Sequence, residues 1–255
     1  MAENQDRGRV KTTETAFRIV ELLMERDGMR LSELARELGV AKSTAHRHLS
    51  TLLDLEYVTE NNGVYRTGLR FLEIGEQTRT RTDAYRLAEE KVADLAAETE
   101  ERSQFIVEEH GQGVYLFRET GDRAVHTDSE IGKRIPIHAT AAGKAILANL
   151  SDERIEEIID QRGLPALTEH TTTDEEALWT ELAEIRDRGY STNDQENTSG
   201  LRAIGVPVRY EDGEPLGALS VSGPTHRFQK TLFNETLPNL LLGTANELEL
   251  NIQYS

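Results

Sequence analysis

The stretch Leu31–Val58, LSELARELGVAKSTAHRHLSTLLDLEYV, decides the fold of the first third of the chain. Ser32 precedes Glu33, Leu34, Ala35 and Leu38, and Gly39 follows, which predicts a short helix capped by Ser32 and stopped at the glycine. After the Gly39-Val40 turn, Ala45, Leu49, Leu52 and Leu53 recur at helical spacing, while Ser43, His46, Arg47 and Ser50 fall on the opposite face. A short helix, a tight turn and a second helix with a polar, basic outer face form a helix-turn-helix arrangement, whose second helix can enter a DNA major groove.

The flanking sequence agrees. Upstream, Phe17, Ile19, Val20, Leu22 and Leu23 predict a helix from Thr15 that Asp27-Gly28 ends. Downstream, YVTENNGVYRTG predicts two short strands around Asn61-Asn62-Gly63, a wing. Lys42, Ser43, Thr44, His46 and Arg47 cluster in the first two turns of the third helix, and no acid lies between Ala41 and Leu53. These five residues, Ser32 on the preceding helix, and Asn61, Asn62 and Arg66 on the wing are the expected contacts to double-stranded DNA. Arg47 is the first choice for a base edge or a phosphate.

Composition frames this expectation. The chain has 255 residues, no cysteine and 37% hydrophobic residues, enough for a packed core without disulfides or thiol chemistry. It shows no run of 18 apolar residues and no signal-type stretch at its start, so a cytoplasmic protein that does not engage a membrane is expected. The net charge of −17 argues against a polyanionic partner, but residues 1–82 hold 13 basic and 13 acidic side chains. All of the excess negative charge follows in 83–255. Only six lysines occur among 29 basic residues, which with the acidic surface suggests a salt-rich interior of the cell.

Beyond the wing, LRFLEIGEQTRTR (residues 69–81) predicts a linking helix that continues in helical pattern over 85–99. From Ser103 strands dominate: QFIVEEHGQGVYLFRE around Gly111-Gln112-Gly113, then AIGVPVRY and ALSVSG around Asp212-Gly213. Between them lie helices over 140–150, 151–161 and 173–188, the last opened by a Thr173…Glu176 capping box and closed by Gly189. A final helix covers 229–252, with Pro238 expected to kink or restart it. Antiparallel strands with segregated helices give an α+β class.

Catalytic signatures are weak. AAGKA around Lys144 lacks the first glycine of a phosphate loop, having His138 there, and carries Ala145 in place of the metal-binding hydroxyl. His110, His126, His138, His170 and His226 show no paired spacing for a metal, and no nucleophile-elbow sequence occurs. Neither cofactor, metal nor catalytic residue is therefore assigned. A ligand pocket fits better. Thr140, Ala141, Ala142 and Gly143 open a helix with small side chains and backbone amides suited to an anion. Ser220 and Ser222 share one face of a strand, near Asn193 on another. They face either water, with Leu219 and Val221 filling the core, or a polar ligand on the inner face.

The segments LSELARELGVAKSTAHRHLSTLLDLEYV, IPIHATAAGKAILA, GYSTNDQENTSGLRAIGVPV and ALSVSGP follow the order and spacing of the isocitrate lyase regulator (IclR) family, which the chain resembles from about Thr12 onward. The resemblance implies a winged helix-turn-helix domain over 12–73. It also implies a linker helix with a GAF-like α+β effector-binding domain over 74–255, and a homodimer or dimer of dimers. It implies a ligand-responsive transcriptional regulator, of a catabolic operon for sugars, sugar acids or small carboxylates, whose effector is a small organic acid or sugar acid. By motif position the effector residues would be Thr127, Ile135, Ala141, Ala142, Asn193, Leu201, Ala203, Ser220 and Ser222. Asn193 stands where relatives often place an acid and Ala203 where a cysteine can occur; the acidic composition resembles haloarchaeal members. The alternatives are a ligand-independent architectural DNA-binding protein and an enzyme with an accessory DNA-binding module.

Overall fold

A computed structural model of the protein describes residues 8–125 and 130–255. The chain forms two compact units, the first ending at Thr80 and the second running Arg81–Ser255.

The first unit comprises α1 (Lys11–Glu25), β1 (Met29–Arg30), α2 (Leu31–Glu37), α3 (Lys42–Asp54), β2 (Val58–Asn61), β3 (Val64–Thr67) and α4 (Arg70–Arg79). Ile19 and Leu23 of α1, Leu34 of α2 and Leu49 of α3 are fully buried against one another. Each such side chain contributes about 1.5–3 kcal/mol through the apolar surface it hides. Gly39, at a φ of +66°, makes the turn between α2 and α3, where most side chains would be strained. The strands pair antiparallel in the order β1-β3-β2. Asn61 pairs with Val64 across a two-residue turn in which Asn62 and Gly63 both have positive φ, the primed geometry that matches strand twist.

Three sequence-based details change here. Helix α1 starts at Lys11, four residues earlier than the apolar pattern alone indicated. Phe17 is 61% exposed, outside the core that Ile19, Val20, Leu22 and Leu23 build. Ser32 is not the cap of α2. The helix begins at Leu31 with Arg30 at the N-cap, and Glu33 Oε2 accepts the Arg30 amide at 2.8 Å.

The second unit contains α5 (Asp83–Thr99), β4 (Arg102–Glu109), β5 (Gln112–Thr120), β6 (Arg134–Pro136), α6 (Ala141–Leu147), α7 (Asp152–Arg162), α8 (Glu175–Arg188), β7 (Ser191–Asp194), β8 (Leu201–Arg209), β9 (Pro215–Pro224) and α9 (Leu237–Gln253). Its six strands form one antiparallel sheet in the order β6-β5-β4-β9-β8-β7. Strand alternation divides the core into two layers. Phe105, Ile204, Val206, Leu219 and Val221 pack with Val92 of α5 and Leu241 of α9. Ile106, Tyr115 and Ala218 pack instead with α6, α7 and α8.

The local signals shift by a residue or two. The first hairpin turns at His110-Gly111, so Gly113 lies inside β5, where a Cβ would come within 3.2 Å of Ile106 and Ile135. Asp174, rather than Thr173, caps α8 by accepting the Ala177 amide at 2.9 Å. Pro238 sits in the first turn of α9, after a one-turn π-helix over Leu232–Thr236, so the terminal helix restarts there. No helix among the described residues is long and apolar enough to cross a membrane.

Charge follows the division into units. Residues 1–80 carry 12 basic and 13 acidic side chains, and residues 81–255 carry 17 and 33.

Candidate functional sites

In the first unit, packing orients α3. Ala45, Leu49 and Leu52 are buried against the other helices, which turns Ser43, His46, Arg47 and Ser50 outward. Lys42 is exposed at the helix start, and Thr44 is half-buried. Among the described residues, no hydrogen bond or ion pair engages the side chains of Lys42, His46 or Arg47. Other arginines of this unit do pair with carboxylates: Arg18 with Glu21 at 3.0 Å and Arg79 with Glu76 at 3.0 Å. Cations without an intramolecular acid on one helix face remain available to phosphates and base edges.

The wing presents Asn61 and Asn62 at its exposed tip and Arg66 on β3. The stem of Arg66 lies over Gly28, where a Cβ would meet Arg66 Cγ at 2.8 Å. Two contributions were missed in the sequence. Strand β1 pairs Arg30 with Val64, which brings its guanidinium beside the turn at Gly63. Lys11, Thr12 and Thr15 of α1 line a groove with Thr44, Arg47 and Thr51 of α3. A two-residue strand has too short a pattern to read, and the early start of α1 lacks an apolar marker.

The second unit holds a cavity of about 390 Å³, including its open mouth, between the α6 end of the sheet and the loop after β7. Ala141, Ala142, Asn193, Leu201, Ala203, Ser220 and Ser222, all expected from the sequence, line it. Ser220 and Ser222 are 2% and 6% exposed, so they take the inner-face alternative. Ile135 does not line this space; it is buried in the layer beneath α6 and α7. Thr127 lies outside the described residues.

The chemistry of the wall comes largely from β4. Arg102 is buried, and its Nε and Nη2 donate to Ser222 Oγ at 3.1 and 2.9 Å. Gln104 Nε2 donates to the same oxygen at 3.2 Å and to Ser220 Oγ at 3.4 Å. With its lone pairs engaged by N–H groups, the Ser222 hydroxyl is left with a proton to give. Burial is the main cause that holds the Arg102 guanidinium below its usual pKa. Neither residue was marked in the sequence, although their spacing of two placed them on one strand face.

The helix amides contribute less than the sequence suggested. Thr140 caps α6 by accepting the Gly143 amide at 3.0 Å, and the first turn lies directly on Gly205 of β8. Asn193 Nδ2 is committed to the Ala139 carbonyl at 2.7 Å. Lys144 is fully buried and faces neither a phosphate nor the solvent. Its Nζ binds Glu181 at 2.5 Å and both Glu196 oxygens at 2.7 and 2.8 Å, which ties α6 to α8 and to the loop that carries Asn197 and Thr198 on the cavity rim.

A larger space, about 710 Å³ with its mouth, lies among Ile137, Leu147, Ile158 and Leu178. Two of its polar side chains are already used: His138 Nε2 donates to Pro165 O at 3.2 Å, and Arg162 donates to His110 O at 2.6 and 2.9 Å, while Gln112 and Gln161 also line it. Burial lowers the His138 pKa, which keeps the ring neutral. The smaller cavity is the better ligand site, because polar groups converge in it. Among the described residues, no cluster of histidine and carboxylate side chains could hold a metal ion.

Comparison with known proteins identifies both parts of the chain. The family model described as IclR helix-turn-helix domain matches residues 12–62, and the model for the bacterial transcriptional regulator IclR C-terminal matches residues 77–249. The chain is 32% identical to the probable HTH-type transcriptional regulator ArcR of Halobacterium salinarum, across 99% of this chain and 97% of that protein. The crystal structure of the Thermotoga maritima IclR superposes with a TM-score of 0.82 at 26% identity, covering 96% of this chain and all of that one. An IclR homolog from Microbacterium hydrocarbonoxydans, complexed with 4-hydroxybenzoate, gives a TM-score of 0.80 at 26% identity with the same coverage.

Proposed function

This chain belongs to the IclR family and is a ligand-responsive, non-enzymatic transcriptional regulator, and from that premise we propose that it binds operator DNA through α3 and the wing and answers to a small organic acid held at Arg102 and Ser222. The observation that carries the effector reading is the buried Arg102 guanidinium in the cavity wall, with the Ser222 hydroxyl beside it. A carboxylate complements both, because hydrogen bonds between charged partners are roughly twice as strong as neutral ones. The relative that binds 4-hydroxybenzoate makes an acid a reasonable class, and sugar acids fit the same chemistry. The regulated genes would then serve the breakdown of such compounds.

Two copies of α3 would meet a roughly palindromic operator if the protein is a dimer or a dimer of dimers. Val10 at the N-cap of α1 and Phe17 and Met24 within it support this, since they leave exposed apolar side chains at seven-residue spacing. Effector binding would favour one arrangement of the assembly, and a coupling of about 1–3 kcal/mol between sites suffices to shift operator occupancy.

Two measurements test this reading. Arg47→Ala should weaken operator binding by about 1–3 kcal/mol without altering the fold. An unchanged gel-shift midpoint at working salt would remove Arg47 from the interface. Ser222→Ala should lower acid affinity by about 1 kcal/mol, the net worth of one hydrogen bond. Identical calorimetric titrations of the two proteins would place the acid elsewhere.

A further inference from the structure

Arg102, Gln104, Ser220 and Ser222 of the cavity wall belong to a row of polar side chains that crosses the sheet and continues past the cavity to Arg118. Strand pairing sets Arg118 of β5 opposite Gln104 of β4, Gln104 opposite Ser220 of β9, and Arg102 opposite Ser222. Directly paired residues project from the same face, with Cβ atoms about 4.5–5.5 Å apart. That face is the one beneath α6, because Ala218, two places before Ser220, packs in the α6 layer.

Two guanidinium groups thus share one end of the face. Burial foremost lowers the Arg102 pKa, Tyr115 and Glu101 oppose it, and repulsion from Arg118 adds to it. Arg118 is half-buried and its Nε is shielded from solvent; among the described residues, no hydrogen bond or ion pair meets its side chain. Next to it, Gln104 is only 4% exposed and its Oε1 has no donor among the described residues. Other arginines of this unit answer carboxylates: Arg154 pairs with Glu108 at 2.9 Å, Arg202 with Asp194 at 2.7 Å and Arg227 with Glu101 at 2.6 Å. A sheltered Arg118 Nε and a buried Gln104 Oε1, neither with a partner among the described residues, are costly unless a ligand completes them.

We propose that the effector is a small hydroxylated acid with two anionic groups, one met by Arg102 and Ser222 and the second by Arg118, with a hydroxyl donated to Gln104 Oε1. The inference rests on the reading of this cavity as the effector site. A carboxylate and a phosphate monoester offer the second group in the same chemical form, and the choice of probes separates them.

The test is calorimetric titration of the full chain with matched acids: butyrate against succinate, galactonate against galactarate, and gluconate against 6-phosphogluconate. In at least one pair the more highly charged acid is expected to bind about tenfold tighter or better. A preference confined to the last pair identifies a phosphate. Arg118→Met should cut that acid's affinity about tenfold and leave its singly charged partner within about twofold, which also reports that the variant is folded; Arg118→Lys should recover part of the loss. Equal affinities within every pair, or a variant that weakens both members alike, overturns the second anion site but leaves the effector cavity standing. No binding of any acid, with operator affinity unmoved by all of them, overturns both.

Discussion

Replacing Lys144 with methionine is expected to cost the Arg81–Ser255 unit about 3–5 kcal/mol, the range for breaking a buried ion pair by removing one partner. Lys144 is fully buried, and the carboxylates of Glu181 and Glu196 are its only acidic partners among the described residues. Methionine fills the volume but leaves two acids facing each other without a cation. The loss should depend on pH in a definite direction. Burial raises the Glu196 pKa, and Lys144 is the opposing influence. Once Lys144 is gone, the folded state keeps the Glu196 proton to higher pH than the unfolded chain does. Stability then falls as pH rises through the folded value, since the folded state binds more protons across that window. Urea denaturation at several pH values measures this. A deficit that is flat with pH, or below about 1 kcal/mol in mildly alkaline buffer, would mean that Glu196 is not ionised against Lys144 in the native protein.

Gly205→Ala should cost about 3 kcal/mol, the upper end for overpacking a close-fitting interior. A Cβ at Gly205 would stand 2.5 Å from the Ala141 carbonyl carbon and 2.6 Å from both Ala141 O and Ala142 N. These are backbone atoms of α6, so no side-chain rotation relieves the clash and α6 must lift from β8. Thr140, Ala141 and Ala142 line the proposed effector cavity, and acid affinity should drop about tenfold alongside stability. A denaturation midpoint equal to the parent's would show slack between α6 and β8 that the geometry denies.

The sequence made the DNA-facing helix legible because burial and chemistry share a period there. Ala45, Leu49 and Leu52 had to face inward, so Ser43, His46 and Arg47 had to face out. The wing followed from Asn62-Gly63, whose backbone preference is local. The proposed effector cavity was half legible. Ser220 and Ser222 were set on one face by strand alternation, but which face was buried depended on α6, which is far away in sequence. Arg102 and Gln104 escaped notice because polar residues on a strand ordinarily mark the solvent side. Lys144 was read only as a failed phosphate loop; its partners, 37 and 52 residues away, could not be seen locally. The expectation of free α6 amides changes for a similar reason, since Thr140 takes the Gly143 amide and Gly205 brings β8 against the first turn.

The partition of charge between the units bears on how the molecule finds DNA. A nearly neutral reading head with 12 basic and 13 acidic groups is joined to a body with 17 and 33, so at long range the duplex meets mainly negative charge. The Debye length is about 10 Å at 0.1 M ionic strength and about 3 Å at 1 M. Concentrated salt therefore hides the body from the duplex, while the short-range contacts proposed for α3 would persist. Association that brine slows for an ordinary basic DNA-binding protein would here be helped by the same screening.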